Sequence, residues 1–234
     1  MTLANKAIIV TGAAGNVGSA LARVLAGHGA RVAAVDALSA PLEQVVAALP
    51  DRARHLALPG VDLADPAACA DLVARVVTAF GRIDGVGSTV GGFAMAPVEE
   101  AGPEQWDRMF DLNVRTTWNI YRAAIAAMRK TGGGALVGIG SAAGLRGSGQ
   151  MAAYAATKSA VMRLTESLAD ELRAERFRVN AVLPTTIDTP QNRAAMPNAD
   201  ASRWVKPSEV AEAMAFLLSD AASGVSGALL PVGQ

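Results

Sequence analysis

Two side chains suited to proton transfer, Tyr154 and Lys158, are spaced four residues apart in a helical pattern. Residues at i and i+4 share one helix face, so the phenol and the ammonium are expected to be neighbours. A free tyrosine titrates near 10, and an ammonium about 4 Å away, at an effective dielectric near 20, contributes up to roughly 4 kcal/mol. The pair therefore predicts a tyrosine with a lowered pKa, suited to acid/base work near neutral pH. The same spacing also occurs by chance on exposed helix faces.

Ser141 strengthens the catalytic interpretation of this pair. It follows the apolar run 135–139, which predicts a strand, and ligands of open α/β sheets bind beyond the carboxyl ends of strands. A serine hydrolase is the competing enzyme class. It is disfavoured because the residues around Ser141 do not form the Gly-x-Ser-x-Gly turn.

A glycine-rich turn, residues 11–18, joins the predicted strand Ala7–Thr11 to a predicted helix over 16–28. Glycines let the backbone approach a pyrophosphate, and a helix N-terminus offers free N–H groups and a positive dipole end. A tight turn without a ligand is the alternative. The position of the turn in a βαβ pattern, with an acid following at a suitable distance, favours a dinucleotide.

That acid, Asp36, ends the second predicted strand, where a carboxylate can bind the adenosine ribose hydroxyls. An ordinary turn aspartate is the alternative. A carboxylate facing the ribose repels a 2′-phosphate, and no Lys or Arg stands at Gly15, Ala37 or Leu38 to bind one. NAD is therefore favoured over NADP.

Taken together, these residues and others make the chain resemble the short-chain dehydrogenase/reductase family along essentially its whole length. The matching segments are residues 11–18, Asp62, Gly91, Asn113, 139–141, 154–158, 178–184, 208–223 and 227–232. The resemblance implies an NAD-dependent oxidoreductase that moves a hydride between nicotinamide and a small carbonyl or alcohol. It implies one Rossmann-type domain over 1–234, a doubly wound parallel seven-stranded sheet with helices on both faces, and a substrate loop over about 184–206.

The resemblance also assigns roles within the site. Tyr154 would be the general acid/base, Lys158 would lower its pKa and bind the nicotinamide ribose, and Ser141 would hold the substrate oxygen. Asn113 would complete a proton relay through water to Lys158; a helix bulge or a cap is its alternative. The implied cofactor-binding residues, with Asp62 at the adenine and Ile187 and Thr189 at the carboxamide, are Gly12, Gly15, Asn16, Val17, Gly18, Asp36, Asp62, Leu63, Gly91, Tyr154, Lys158, Pro184, Ile187 and Thr189.

Three positions depart from the pattern of the family. The common glycine of the turn is Asn16 here, and Gly15 comes one step earlier. The usual Asn-Asn-Ala-Gly after the fourth strand is Ser-Thr-Val-Gly at 88–91. Other polar groups must therefore supply the support that the asparagines give to the core beside this strand. Thr185 replaces the glycine that normally follows Pro184.

Periodicity predicts the elements that must position these residues. Strands are expected over 7–11, 31–35, 55–61, 83–90, 135–139, 178–183 and 228–232, the fourth weakened by Gly85 and Gly87. Helices are expected over 16–28, 66–80, 104–129, 151–174 and 207–219, and a segment around 41–49, left without an assigned type, separates the second strand from the third. This alternation predicts a parallel sheet covered on both faces, and the irregular stretch 184–206 is long enough to be functional.

Composition excludes several other function classes. Lys plus Arg and Asp plus Glu each number 21, which gives no electrostatic argument for nucleic acid or a membrane surface. Cys69 is the only cysteine, and His28 and His55 are separated and expected to be structural, so no metal cluster is predicted. The short apolar run 7–10 predicts no signal peptide, and no run is long enough to span a bilayer, so a cytoplasmic location is expected.

The substrate and the assembly are the least determined features. Apolar side chains of Phe93, Met95, Leu145, Met151 and the segment 184–204 suit a small ring or acyl group, and the polar anchors among them would be Arg146, Gln150, Gln191, Asn192 and Arg193. The loop after the sixth strand resembles that of dihydropteridine reductases, which makes an NADH-dependent pterin reductase the alternative; Ser141 favours a carbonyl or alcohol. A nucleotide-sensing protein of the same fold is the non-enzyme alternative. The resemblance implies a homotetramer or a dimer in which the helices over 104–129 and 151–174 pair with their copies across a two-fold axis. Their apolar residues on more than one face are Trp118, Ile120, Ile125, Met128, Val161, Met162, Leu164 and Leu168. The alternative is that all of these residues pack on the sheet.

Overall fold

Seven parallel strands form one sheet in the computed structural model, which describes residues 3–233. They are β1 (Ala7–Thr11), β2 (Arg31–Asp36), β3 (Leu56–Pro59), β4 (Gly85–Ser88), β5 (Gly134–Ile139), β6 (Phe177–Pro184) and β7 (Leu229–Val232). Their order, β3-β2-β1-β4-β5-β6-β7, reverses between β1 and β4 and so creates a topological switch point. The predicted doubly wound sheet is confirmed; Met1, Thr2 and Gln234 of the predicted domain lie outside the described residues.

Helices cover both faces of this sheet. They are α1 (Asn16–Gly27), α2 (Ser39–Ala47), α3 (Pro66–Phe80), α4 (Pro103–Phe110), α5 (Thr116–Met128), α6 (Ala152–Glu171), α7 (Pro190–Ala195) and α8 (Pro207–Leu218). Successive strand residues point to opposite faces: Ile8 and Val10 pack with α1, α2 and α8, and Ile9 packs with α3, α5 and α6. Within residues 3–233, none of the helices combines the length and hydropathy needed to cross a membrane.

Two glycines in β4 let helices approach the sheet closely. A Cβ at Gly87 would lie 2.6 Å from Leu21 Cδ2 of α1, and one at Gly85 would lie 3.1 Å from Leu218 Cδ2 of α8. These residues weaken the strand pattern in the sequence, yet close packing requires them at the centre of the sheet.

The predicted single helix over 104–129 is wrong in one respect. A π-helical segment, Asp111–Arg115, separates α4 from α5, and Asn113 lies within it. The widened turn coincides with hydrogen bonds from the Asn113 side chain to Gly92 after β4. Tertiary bonding therefore accompanies the bulge, as is common at functional sites.

The segment 184–206 is less irregular than the sequence suggests. It contains α7 and the 3₁₀ turn Ala201–Arg203, and the Thr189 hydroxyl caps α7 by accepting a hydrogen bond from the Asn192 N–H at 3.1 Å. Helices this short are set by caps and tertiary contacts, so periodicity does not reveal them.

The apolar residues predicted to pair between copies mostly pack inside the chain. Trp118 is the exception, with 42% of its surface exposed, and Leu164 is half-buried. The buried ones are Ile120, Ile125, Met128, Val161, Met162 and Leu168. Those six side chains therefore give no support to pairing between copies, because they fill the protein's own core.

Candidate active site

The carboxyl ends of the strands bring the predicted residues to one edge of the sheet. The glycine turn follows β1, Asp36 ends β2, Gly91 follows β4, and Ser141 follows β5. Tyr154 and Lys158 reach this edge from the first turns of α6. The site therefore spans the switch point, where open α/β sheets bind ligands.

Ser141 lies beside the Tyr154 phenol. The Ser141 Oγ accepts the Ala143 N–H at 3.2 Å, which leaves its own proton free to donate to the phenol oxygen. Burial raises the pKa of Tyr154, and the hydrogen bond from Ser141 acts in the opposite direction. The prediction of a lowered tyrosine pKa is wrong for the chain by itself, because burial outweighs the stabilisation of the phenolate.

Lys158 is buried beside this pair. Its Nζ donates to the Ile139 carbonyl at 3.1 Å and lies 5.8 Å from the centroid of the Tyr154 ring. Burial lowers the pKa of the lysine from 10.5 to about 8. The ammonium thus lies near the Tyr154 ring, and its pKa of about 8 is close to neutral pH.

The Asn113 carboxamide ties the loop after β4 to α6. Its Oδ1 accepts the Gly92 N–H at 2.8 Å, and its Nδ2 donates to the Gly92 carbonyl at 3.1 Å and to Thr157 Oγ1 at 3.0 Å. A Cβ at Gly91 would lie 2.8 Å from Asn113 Oδ1 and 3.4 Å from Lys158 Nζ. A side chain at position 91 would therefore displace the Asn113 carboxamide, which contacts α6 through Thr157.

The glycine turn has the shape that a dinucleotide pyrophosphate requires. Gly12 has a φ of +64°, and a Cβ at Gly18 would overlap the Gly12 carbonyl oxygen. Gly15 caps α1 without a side chain, and the first turn of α1, with Asn16 and Val17, has no acidic residue. The unpaired N–H groups of that turn and its dipole therefore remain available to an anion, and the residues present fit the cofactor.

Two predicted acidic residues, Asp36 and Asp62, follow or end β2 and β3 at this edge. Asp36 accepts the N–H groups of Ala14 and Leu38, both at 3.0 Å. A carboxylate has about four acceptor positions, so capacity remains for ribose hydroxyls. Asp62 is exposed and accepts the Ala64 N–H at 2.8 Å, and the neighbouring Leu63 is buried.

Hydroxyl groups rebuild the support that the usual asparagines would give after β4. Thr89 Oγ1 donates to the Thr11 carbonyl at 2.7 Å and lies 3.3 Å from the Gly12 carbonyl. Ser88 Oγ and Thr117 Oγ1 are 3.1 Å apart. Thr89 thereby fixes the glycine turn from the side of β4.

The remaining predicted cofactor residues lie where the chain leaves β6. Pro184 ends that strand beside Val232, and Ile187 forms an isolated parallel bridge with Val205. Thr189 caps α7. The structure brings these residues to the same edge as the glycine turn, because Gln191 of α7 accepts a hydrogen bond from Asn16 at 3.0 Å.

Phe93 packs against the Tyr154 ring. The edge of Phe93 contacts that ring with 4.9 Å between the centroids, and 57% of the Phe93 surface is exposed. The other exposed apolar residues predicted here are Met95, Leu145 and Met196. Three of the five predicted polar anchors are already engaged within the chain, namely Gln191, Asn192 and Arg193.

Two supporting residues were absent from the sequence interpretation. Thr157 is fully buried, accepts from Asn113 and donates to the Tyr154 carbonyl at 2.8 Å, so it links two of the predicted catalytic residues. Asn119 donates to the carbonyls of Leu63 and Ala64, which holds the loop after β3. Only the position of Thr157 directly before Lys158 could have suggested its role.

The histidines play the structural part predicted for them. His55 Nδ1 accepts the Val32 N–H at 3.1 Å, its Nε2 lies 2.8 Å from the Pro50 carbonyl oxygen, and His28 follows the end of α1. In the described part of the chain, no group of three or more metal-ligating side chains comes together.

The chain is similar to known dehydrogenases in sequence and in structure. The family described as short chain dehydrogenase matches residues 6–200. The chain is 35% identical over 240 residues to D-threitol dehydrogenase of Mycolicibacterium smegmatis, covering 98% of this chain and 92% of that protein. It is also 35% identical over 238 residues to cis-4-hydroxycyclohexanecarboxylate dehydrogenase of Sinomonas cyclohexanicum. That match covers 98% of this chain and 95% of the relative. The solved structure of NAD⁺-bound xylitol dehydrogenase is similar with a TM-score of 0.91 at 27% identity, covering 100% of this chain and 99% of that one.

Proposed function

The chain belongs to the short-chain dehydrogenase/reductase family, and from this premise we propose that it transfers a hydride between NAD(H) and a small alcohol or carbonyl compound, with Tyr154 as the general acid/base. The observation that carries the proposal is that the buried Ser141 and Lys158 both lie beside the Tyr154 side chain. We also propose that residues 1–234 form one dinucleotide-binding domain and that residues 184–206 are its substrate loop.

The proposed proton transfer takes place at the Tyr154 oxygen. In the oxidative direction the phenolate accepts the hydroxyl proton of the substrate, and in the reductive direction the phenol donates that proton to the carbonyl oxygen. Ser141 Oγ hydrogen-bonds the same substrate oxygen, and its hold on Ala143 keeps it oriented. The Lys158 ammonium stabilises the phenolate, and Asn113 fixes α6 against the loop after β4. When bound, the cofactor accepts or supplies the hydride, and its oxidised ring is positively charged.

NAD is the cofactor that the residues of the site favour. Gly12, Gly15 and Gly18 would hold the pyrophosphate against α1, Asp36 would bind the ribose of the adenosine, and Lys158 would bind the ribose of the nicotinamide. A negative charge at position 36 disfavours a 2′-phosphate. The NAD⁺-bound xylitol dehydrogenase, similar over the whole chain, supports the same cofactor.

The substrate class follows from the exposed apolar surface and from Ser141. Phe93, Met95 and Leu145 would contact a small ring or carbon chain, and Ser141 would bind its oxygen. The two dehydrogenases named above act, by their names, on a polyol and on a hydroxylated ring, which supports a secondary alcohol. A pterin reductase would need little from Ser141, and a nucleotide sensor would not need the assembled catalytic residues.

A paired assay tests this proposal. Purified protein is given NADH with small cyclic ketones, 3-oxoacyl thioesters or quinonoid dihydropterin, and NAD⁺ with polyols and cyclic alcohols, each on wild type and Ser141→Ala. We expect a ketone or alcohol to react and Ser141→Ala to lower that rate at least tenfold, since it removes the hydrogen bond to the reacting oxygen. Fast pterin reduction that is unchanged in Ser141→Ala would favour the alternative.

We also propose that the protein assembles as a homotetramer or a dimer and is cytoplasmic. The exposed Trp106 and Trp118, 45% and 42% exposed, provide apolar surface on α4 and α5, and the free, buried Cys69 suits a reducing compartment. Light scattering at micromolar concentration should give the mass of two or four chains, and a monomer would contradict the assembly.

A further inference from the structure

The substrate loop, residues 184–206, is closed at its base. Ile187 and Val205 form a parallel bridge, the Asp188 N–H donates to the Val205 carbonyl at 2.7 Å, and the Val205 N–H donates to the Thr186 carbonyl at 2.9 Å. The two ends of the loop are therefore joined to each other, and the Thr185 N–H donates to the Val232 carbonyl of β7 at 3.1 Å. The residues between these ends, 189–204, form the tip of the loop.

One side-chain hydrogen bond links the tip to a residue outside the substrate loop. Asn16 Nδ2 donates to Gln191 Oε1 at 3.0 Å, across 175 positions of sequence. Among residues 3–233, no other hydrogen bond links residues 189–204 to residues outside the loop. The tip is also bonded to the base of its own loop, where Asn192 donates to the Ile187 carbonyl at 2.8 Å and Arg193 pairs with Asp188. The orientation of the tip thus depends on a contact with the glycine turn.

Asn16 belongs to the glycine turn itself, so a change in the conformation of the turn would move its side chain. It is the first residue of α1 and follows Gly15, which caps that helix. At this position the common glycine of the family would offer no side chain. In this chain the carboxamide reaches away from the turn, toward α7.

We propose that Asn16 and Gln191 form a clasp that couples the cofactor-binding turn to the substrate loop. This inference rests on the proposed function. A cofactor that orders the turn would also hold the Asn16 carboxamide in place, and the clasp would then keep the loop tip over the site. Both residues are positioning residues, since they act on the substrate through the loop.

The rate of limited proteolysis of the protein without cofactor measures how firmly the clasp holds the loop tip. Trypsin can cut the tip after Arg193 and Arg203, which are exposed, whereas Lys206 is followed by Pro207 and resists. Cleavage of a transiently opened segment follows the population of the open form when opening is fast. Because one hydrogen bond contributes modestly, Asn16→Ala and Gln191→Met should each raise the cleavage rate about two- to tenfold.

The double variant decides whether the two residues act together. A clasp predicts that Asn16→Ala combined with Gln191→Met cleaves no faster than either single variant, because both remove the same bond. Gln191→Glu keeps the acceptor and should cleave near the wild-type rate. Asn198→Ala, an exposed residue of the same tip without a hydrogen bond to the body, is the matched control and should leave cleavage unchanged.

Cofactor dependence tests the coupling itself. NADH should slow cleavage of the wild type more than that of Gln191→Met, and Gln191→Met should raise the KM of the substrate with little change in kcat. Independent, multiplying effects of the two single variants, or cleavage unchanged by both, would overturn the clasp. Failure of the wild type to bind NADH would instead refute the proposed function, and the cleavage of the unliganded variants would still decide the clasp.

Discussion

Lys158→Met should make the folded chain more stable while removing its activity. The fully buried ammonium has its pKa lowered from 10.5 to about 8 by loss of hydration, which corresponds to roughly 3 kcal/mol of unfavourable free energy in the folded state. Methionine has a similar length and no charge, so it removes this cost. The hydrogen bond to the Ile139 carbonyl is lost as well, which offsets the gain by about 1 kcal/mol at every pH.

The dependence on pH identifies the cause of the gain. Below about pH 8 both folded and unfolded wild type carry the ammonium, and the full cost is present. Between about 8 and 10.5 the unfolded state binds more protons than the folded state, so the stability of the wild type rises with pH. The advantage of Lys158→Met should therefore shrink by about 2 kcal/mol between about pH 7 and pH 9.5. Tyr154, whose pKa is raised, stays neutral in this range.

Urea unfolding without cofactor, followed by circular dichroism at the two pH values, measures the difference. Lys130→Met, at an exposed lysine, is the matched control and should change the free energy of unfolding little at either pH. A difference between Lys158→Met and wild type that is the same at both pH values would show that desolvation of the ammonium is not its cause. A variant less stable than wild type at both would show that the Ile139 bond dominates.

Three further predictions follow from the packing and the charges of the site. Gly18→Ala should lower the free energy of unfolding by about 2–3 kcal/mol, because its Cβ would overlap the Gly12 carbonyl, whereas Gly27→Ala, with open space around it, should be near neutral in the same urea titration. Tyr121→Phe should raise the thermal midpoint, with a gain of about 1–2 kcal/mol, because the hydroxyl is buried with no partner among the described residues; a lower midpoint would reveal a bound water. Asp36→Asn should shift the ratio of NADPH to NADH affinity by about ten- to hundredfold toward NADPH, and an unchanged ratio in fluorescence titrations would show that the carboxylate does not face the ribose.

Much of the fold could be predicted because local pattern and tertiary packing agree. Residues 66–80 carry apolar periodicity, and Asp65 and Pro66 mark the start of the helix, so α3 has the predicted bounds. The buried strand β1 was likewise predicted with its observed ends. The glycines of β4 could not be explained from the sequence. They are needed because Leu21 of α1 and Leu218 of α8, which are distant in sequence, pack closely against this strand.

The site was predictable by residue type and less so by geometry. The sequence brought Ser141, Tyr154 and Lys158 to one place, but the position of the ammonium depends on the Ile139 carbonyl, which spacing alone does not reveal. The π segment around Asn113 and the contact between Asn16 and Gln191 depend on hydrogen bonds between distant segments. Such bonds leave no periodic signal.

The most direct test of the central claim is the activity of Tyr154→Phe beside its binding of NADH. The phenol is proposed to act on the substrate oxygen, so its removal should lower kcat at least a thousandfold, while the affinity for NADH, measured by fluorescence titration, changes less than about threefold. Ser141 and Lys158 remain in place in this variant, which limits the change to the lost hydroxyl. Turnover within about tenfold of the wild type would contradict the assignment of Tyr154 as the general acid/base.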